Sequence, residues 1–326
     1  MSLSTAKVLI KIAIFERFME KTYKYSVAGH RFCISLPEEC SKERCLSPYS
    51  PFEVENDDVA PVFSLRVEFV ESLRSKVSGD VKDVLNEEAP YFWLFEAKDM
   101  PKVFESGMND WFFGFSYTRN HPDCVLVTSH DYKEAVVYVP AAYADRLAEF
   151  ALSNSMMLLY TFCTSAYDTL MVHASVIRKD GHGYMFLGKS GTGKSTHSSL
   201  WLKHIEGSVL LNDDNPVIRV VDGKAFVYGT PWSGKTPCYK NEVVPLGAVV
   251  RLSQAPYNRI EKLMPLKAYA SLMPACSCMR WDSSATEAVH KSVEKVISQV
   301  GCWHLECLPD ADAAHTCHSA VLVTEK

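Results

Sequence analysis

Eight consecutive residues, Gly188-Lys189-Ser190-Gly191-Thr192-Gly193-Lys194-Ser195, hold the densest chemistry in this sequence. They satisfy G-x-x-x-x-G-K-[ST] at every required position, the spacing of a phosphate-binding loop. Glycines so placed let successive backbone N–H groups converge on phosphate oxygens, and a helix starting just after them adds a favourable dipole. In this reading Gly188, Ser190, Gly191, Thr192, Gly193, Lys194, Ser195 and Thr196 bind ATP. Lys194 neutralises the β- and γ-phosphates and Ser195 ligates Mg²⁺. The plain alternative is a glycine-rich turn with an exposed lysine. Context argues against it, because Tyr184–Leu187 supplies an apolar strand before the first glycine and Ser195–His204 reads as a helix ending near Gly207.

A second constellation follows at once. Ser208-Val209-Leu210-Leu211-Asn212-Asp213-Asp214 is an apolar strand ending in two carboxylates, where a phosphate-loop protein places its metal-binding acid. Neighbouring residues of an extended strand face apart, so the acids are expected to divide the work. Asp213 is expected as general base toward an acceptor hydroxyl and Asp214 as a contact to Mg²⁺, directly or through water; an Asn-Asp-Asp turn without chemistry is the alternative.

His173 and Lys235 complete the candidate catalytic set. Leu170–Arg178 and Tyr184–Leu187 flank Lys179-Asp180-Gly181-His182-Gly183, a hairpin signal. Pairing across that turn puts His173 opposite roughly Lys189, at the mouth of the loop, although a lone strand histidine is often purely structural. Lys235 closes the loop Gly229-Thr230-Pro231-Trp232-Ser233-Gly234-Lys235. It can supply positive charge over a moving phosphate, or be a solvated loop lysine. Arg219, Arg251 and Arg259 are further candidates for that role.

The elements that must position these residues form an α/β pattern, strands alternating with helices, over residues 141–326. Asp222-Gly223 marks a two-residue hairpin turn between Val217–Val221 and Ala225–Tyr228. Ser284-Ala285-Thr286-Glu287 reads as a capping box ahead of a helix with Val289, Val293, Val296, Ile297 and Val300 on one face. Gly301 is expected at that helix's C-terminus, Trp303–Leu308 as a strand and Ala311–Val321 as a last helix. Residues 1–140 instead read as a β-rich accessory domain. Phe63, Leu65, Val67 and Phe69 alternate with polar residues, and Ala28-Gly29-His30 turns between two aromatic strands. Further strands are expected at Tyr91–Phe95, Trp111–Tyr117, Cys124–Thr128 and Ala135–Val139. Pro140 is expected to open a helix over Ala141–Tyr167, with the domain boundary there.

Composition sets the outer limits. A net charge of −5 over 326 residues calls for no nucleic-acid partner. No apolar stretch reaches the ~18 residues a bilayer requires, and Lys7–Arg17 makes a poor signal peptide. A cytoplasmic protein is therefore expected, with no membrane partner and with homo-oligomerisation left open. Eleven cysteines without a repeating spacing suit reduced thiols. Neither Cys276/Cys278 nor the group Cys302, His304, Cys307, His315, Cys317 and His318 matches a zinc-finger spacing.

The stretch from His173 through Asp214 resembles the catalytic domain of HPr kinase/phosphorylase, where a histidine-bearing strand, a hairpin, a phosphate loop and an Asp-Asp pair follow in this order. The ATP-dependent phosphoenolpyruvate carboxykinases are wider relatives, with a loop similar to Ser190-Gly191-Thr192-Gly193-Lys194. The resemblance spans about residues 168–260. It implies a compact α/β nucleotide-binding domain, Mg²⁺–ATP as phosphoryl donor, Lys194 and Ser195 on phosphate and metal, the Asp213/Asp214 pair as base and metal contact, and His173 assisting the base. The glycine-rich segment that engages HPr is absent, with Tyr228–Lys235 near its place, and so are the arginine motifs of the carboxykinases. Neither HPr as substrate nor decarboxylation is implied. The expectation is a kinase acting on a hydroxyl of an unidentified small molecule, protein or peptide. A regulatory module that binds ATP without transfer, and an ATPase, are the competing classes.

Overall fold

The computed structural model describes residues 20–55, 58–73, 102–105, 111–116, 123–234, 236–279 and 282–322. It is a mixed α/β chain whose contacts divide it into two units. The first runs to Cys163 without Val27–Gly29; the second takes those three residues and the chain from Thr164 onward.

The first unit is built on a seven-stranded sheet in the order β1-β2-β3-β7-β6-β5-β4. Its strands are β1 Glu20–Val27, β2 His30–Pro37, β3 Phe63–Val70, β4 Lys102–Glu105, β5 Trp111–Phe115, β6 Cys124–Thr128 and β7 Glu134–Pro140; the short helix α1, Lys42–Cys45, follows β2. Phe63, Leu65 and Val67 are buried as their alternation predicts. The strand expected at Tyr91–Phe95 lies outside the described residues. A single helical turn over Ala141–Tyr143 precedes helix α2, Ala144–Thr164. Pro140 is both the last residue of β7 and the N-cap of that turn, so the helical run opens where expected. Helix α2 packs on this first sheet: Tyr160 meets Phe32 edge to face at 6.3 Å, and Phe162 meets Phe113 and Tyr132 at 5.6 and 5.0 Å. The division therefore falls after Cys163, not at residue 140, because the helix buries its apolar face against the strands that precede it.

The second unit carries a nine-stranded sheet. Its main path runs β11-β9-β10-β14-β13-β12-β8, with β16 beside β14 and β15 beside β16. The strands are β8 Thr169–Met171, β9 Ala174–Lys179, β10 His182–Leu187, β11 Val209–Asp214, β12 Val217–Val221, β13 Lys224–Tyr228, β14 Val243–Gln254, β15 Arg259–Lys262 and β16 Gly301–Cys307. Both Asp-Gly turns have positive φ at each central residue, 48° and 73° in either case. That conformation matches strand twist in a two-residue hairpin and explains the Gly. The helices are α3 Lys194–His204, α4 Pro265–Leu272, α5 Ser283–Gln299 and α6 Ala311–Val321. Among the described residues no helix is long and apolar enough to cross a membrane.

Helix α5 buries Val289, Val293 and Val296 in the core shared with β9, β10 and β14. Each such burial contributes roughly 1.5–3 kcal/mol. Its start corrects the expected capping box. The cap is Asp282, whose carboxylate accepts from the amides of Ser284 and Ala285 at 2.9 and 3.0 Å, while Glu287 turns outward to Lys291. Gly301 stands directly after the C-cap of that helix, Val300, as expected, and is also the first residue of β16. Asp282→Ala is expected to cost about 1 kcal/mol in stability, read from the denaturant midpoint, whereas Ser284→Ala should leave that midpoint nearly unchanged.

Candidate functional site

Three neighbouring strands bring the chemistry to one sheet end. Strand β10 runs straight into the glycine loop, β9 begins beside its last residue with Ala174 opposite Leu187, and β11 ends with Asp214 opposite Ala174. His173 precedes β9 by one residue. The continuous strand expected over Leu170–Arg178 is in fact broken at Val172–His173. Its first part pairs with β12 and its second with β10 and β11. The His173 amide donates to the Ala275 carbonyl at 2.8 Å, and its register falls opposite Gly188, one residue from expectation.

The loop has the geometry of an anion cradle. Gly191 and Gly193 take φ of 81° and 111°, a region L side chains avoid, and nothing lies within 4 Å of a Cβ built on Gly191. Gly193 caps α3 without a side-chain hydrogen bond, so the first-turn amides of the helix face outward as donors. Lys194 is the first residue of α3. Its Nζ lies 3.0 Å from the Gly188 carbonyl and 2.9 Å from His173 Nε2. Burial pulls the Lys194 amine below the usual lysine range, and the charges of Asp214 and Asp213 partly offset this.

The two acids diverge. The Ser195 hydroxyl donates to Asp213 Oδ1 at 3.1 Å, and Asp213 is buried. Asp214 is half-buried and places Oδ1 3.1 Å from His173 Nδ1; its Oδ2 accepts from Asn215 Nδ2 at 2.9 Å. Asp214 was expected beside Ser195, and Asp213 stands there instead. The reason is local backbone. Asp214 has φ 129°, outside the ordinary strand region, and is held by a bridge to Ser233 and by the Gly234 amide on the Asp213 carbonyl at 2.6 Å. A Cβ on Gly234 would meet Asp214 Cβ at 3.2 Å, so any side chain there would have to push Asp214 aside by a few tenths of an ångström. Lys235 lies outside the described residues.

With the Lys194 ammonium donating to Nε2, His173 carries its hydrogen on Nδ1 and donates it to Asp214. Lys194, His173 and Asp214 then form a hydrogen-bonded chain, and Asn215 donates to the same Asp214 carboxylate from the other side, which keeps lone pairs for a further donor. Among the described residues no three His, Cys, Asp or Glu side chains converge on a metal position. Ser195 and Asp213 nevertheless suit Mg²⁺, which keeps several waters and takes phosphate oxygens beside one or two protein ligands. In the C-terminal Cys/His group, Cys302 and Cys317 are buried and His304 pairs with Ser253.

Two cavities open around the loop. One, about 400 Å³, is lined by Gly188, Lys189, Ser190, Thr192 and Arg251 among others. The other, about 550 Å³, extends from Gly193 and Thr196 to an apolar wall of Leu200, Leu252, Leu308 and Pro309. Gln254 Nε2 reaches the Gly191 and Thr192 carbonyls, both at 3.4 Å. Neither Gln254 nor Asn215 nor that wall stands out in the sequence. A usable signal existed for Gln254, since it ends a strand parallel to β10 and ligands bind at the carboxyl ends of such strands.

No family profile and no curated protein matches the chain. Among solved structures, it is similar to the Hpr(Ser) kinase/phosphatase from Coxiella burnetii, at 12% identity and a TM-score of 0.27, over 46% of this chain and 93% of that one. At so low a score the likeness assigns no residue.

Proposed function

We propose that the second unit is an ATP- and Mg²⁺-dependent phosphotransferase acting on a hydroxyl of a small molecule, protein or peptide. The observation that carries this reading is the divergence of two adjacent carboxylates beside a phosphate loop, Asp213 to Ser195 and Asp214 to His173, at 3.1 Å each. A protein that only binds a nucleotide has no use for the second.

Geometry favours exchanging the roles expected for the two acids. Ser195 and Asp213 would hold Mg²⁺, and Asp214 is the base. Bound Mg²⁺–ATP would supply the γ-phosphoryl group, its charge already partly neutralised. The amides of Gly191 through Ser195 and the Lys194 ammonium hold the phosphates, and the apolar wall from Leu200 to Pro309 accepts the nucleoside; 550 Å³ is within the range of small-ligand sites. Asp214 takes the proton of the acceptor hydroxyl, with His173 and Asn215 orienting its two oxygens.

The test uses the full chain with Mg²⁺–ATP and a panel of hydroxyl-bearing metabolites and Ser/Thr peptides, following ADP release. Release is expected to be slow alone and to rise on adding one acceptor class, with label from γ-³²P on that acceptor. Acceptor-independent hydrolysis would instead establish an ATPase, and tight binding without turnover a regulatory module.

A further inference from the structure

Cys40 and Cys45 in the first unit lie outside the site described above. Cys40 follows the end of β2, its amide bonded to the Pro37 carbonyl at 2.9 Å. Ser41 then caps α1, accepting from the Arg44 amide at 3.3 Å, and the Cys45 amide returns to the Ser41 carbonyl at 3.0 Å. This tight return brings the two Sγ atoms to 3.1 Å of each other, both buried. Disulfide sulfurs sit near 2.05 Å, so only about 1 Å of closure separates contact from bond. Both thiols are free.

The pair is chemically asymmetric. The hydrogen bond with the Cys40 sulfur, and then the Arg44 guanidinium beside it, hold Cys45 below the usual thiol range against the effect of burial; Cys40 is pushed up. Arg44 is itself anchored, its Nη1 2.7 Å from Asp145 Oδ1. Burial pushes Cys124, Cys163, Cys276, Cys302 and Cys317 the other way. A thiolate with a neighbouring thiol in reach is the arrangement of an attacking and a resolving cysteine.

We propose that Cys40 and Cys45 are a modification site, a dithiol that hydrogen peroxide converts to a disulfide. The Cys45 thiolate attacks one peroxide oxygen, the O–O bond breaks, and hydroxide leaves and is protonated to water, giving the sulfenic acid. The Cys40 sulfur then attacks the Cys45 sulfur. The S–S bond forms, the S–O bond breaks, and the released hydroxyl takes the Cys40 proton to leave as a second water. Two thiols lose two electrons and one peroxide gains them. The disulfide closes a six-residue ring around α1 and fixes the exit from β2.

The full chain, first reduced with dithiothreitol and desalted, is exposed to hydrogen peroxide, alkylated at intervals and digested with trypsin. Cleavage at Lys42 and Arg44 separates the Cys40 and Cys45 peptides in the reduced chain. After oxidation they are expected to run joined and part on reduction, with alkylation of this pair lost about tenfold faster than at the other described cysteines, in line with its larger thiolate fraction. Cys40→Ser should leave Cys45 as a sulfenic acid trapped by dimedone, and Cys45→Ser should abolish linkage. The proposal is overturned if both cysteines stay alkylatable while others oxidise, or if either is linked elsewhere. Wild-type mapping alone decides between these outcomes should a variant fail to fold.

Discussion

Asp214→Asn is expected to lower phosphoryl transfer by about 10²–10⁴-fold while leaving Mg²⁺–ATP affinity nearly intact. That range is the usual cost of removing a positioned base, and an asparagine keeps the shape and one acceptor oxygen for His173. Asp213→Asn should do something different. It weakens the partner of Ser195, so its effect should appear as a raised Mg²⁺ requirement and a higher apparent KM for ATP, part of which excess Mg²⁺ restores. Single-turnover transfer at saturating Mg²⁺–ATP separates the two. If Asp213→Asn is the variant that keeps affinity and loses transfer, the acids hold the roles their order in the strand first suggested. Parental rates in both variants would remove the pair from the chemistry altogether.

The second large effect belongs to Lys194. Its ammonium touches the loop carbonyl of Gly188 and His173 Nε2 at once, so Lys194→Ala removes a phosphate contact and also the donor that sets the tautomer of His173. A loss of about 10²–10³-fold in transfer is expected, the scale for one preorganised charge-stabilising donor, together with weaker nucleotide binding in calorimetry. The circular dichroism spectrum should be unchanged, because alanine suits the first turn of α3. Unaltered nucleotide affinity and turnover in this variant would refute the phosphate-loop reading.

Much of this was legible in the residues, and the reasons are local. Asp180-Gly181 and Asp222-Gly223 demand a particular turn because few other pairs accept positive φ twice. Helix α6 occupies Ala311–Val321 as read, with Asp310 accepting from the Ala313 amide to start it. The strand, glycine loop and helix around Lys194 follow from patterns spanning only a few residues each. Less legible was the start of α5. Ser284 through Glu287 satisfied the capping pattern, yet Asp282, two residues earlier, caps the amides of Ser284 and Ala285 and starts the helix sooner.

What lay beyond the sequence depended on contacts between distant segments. Helix α2 is amphipathic whichever sheet it covers, and only the packing of Tyr160 and Phe162 against Phe32 and Phe113 assigns it to the first unit. His173 became more than a strand residue because β8 and β9 pair with different partners and the chain breaks between them. Strand alternation stated correctly that Asp213 and Asp214 face apart, but not which way each faces. That was decided by Ser233 and Gly234, which bridge back to the acids from twenty residues on and hold Asp214 at φ 129°. The sequence by itself determined the glycine loop, its flanking elements and the presence of two acids, because backbone preferences and hydrophobic periodicity act over short range. The direction of each acid was left to tertiary structure, since it turns on a backbone conformation that only a remote segment can hold in place.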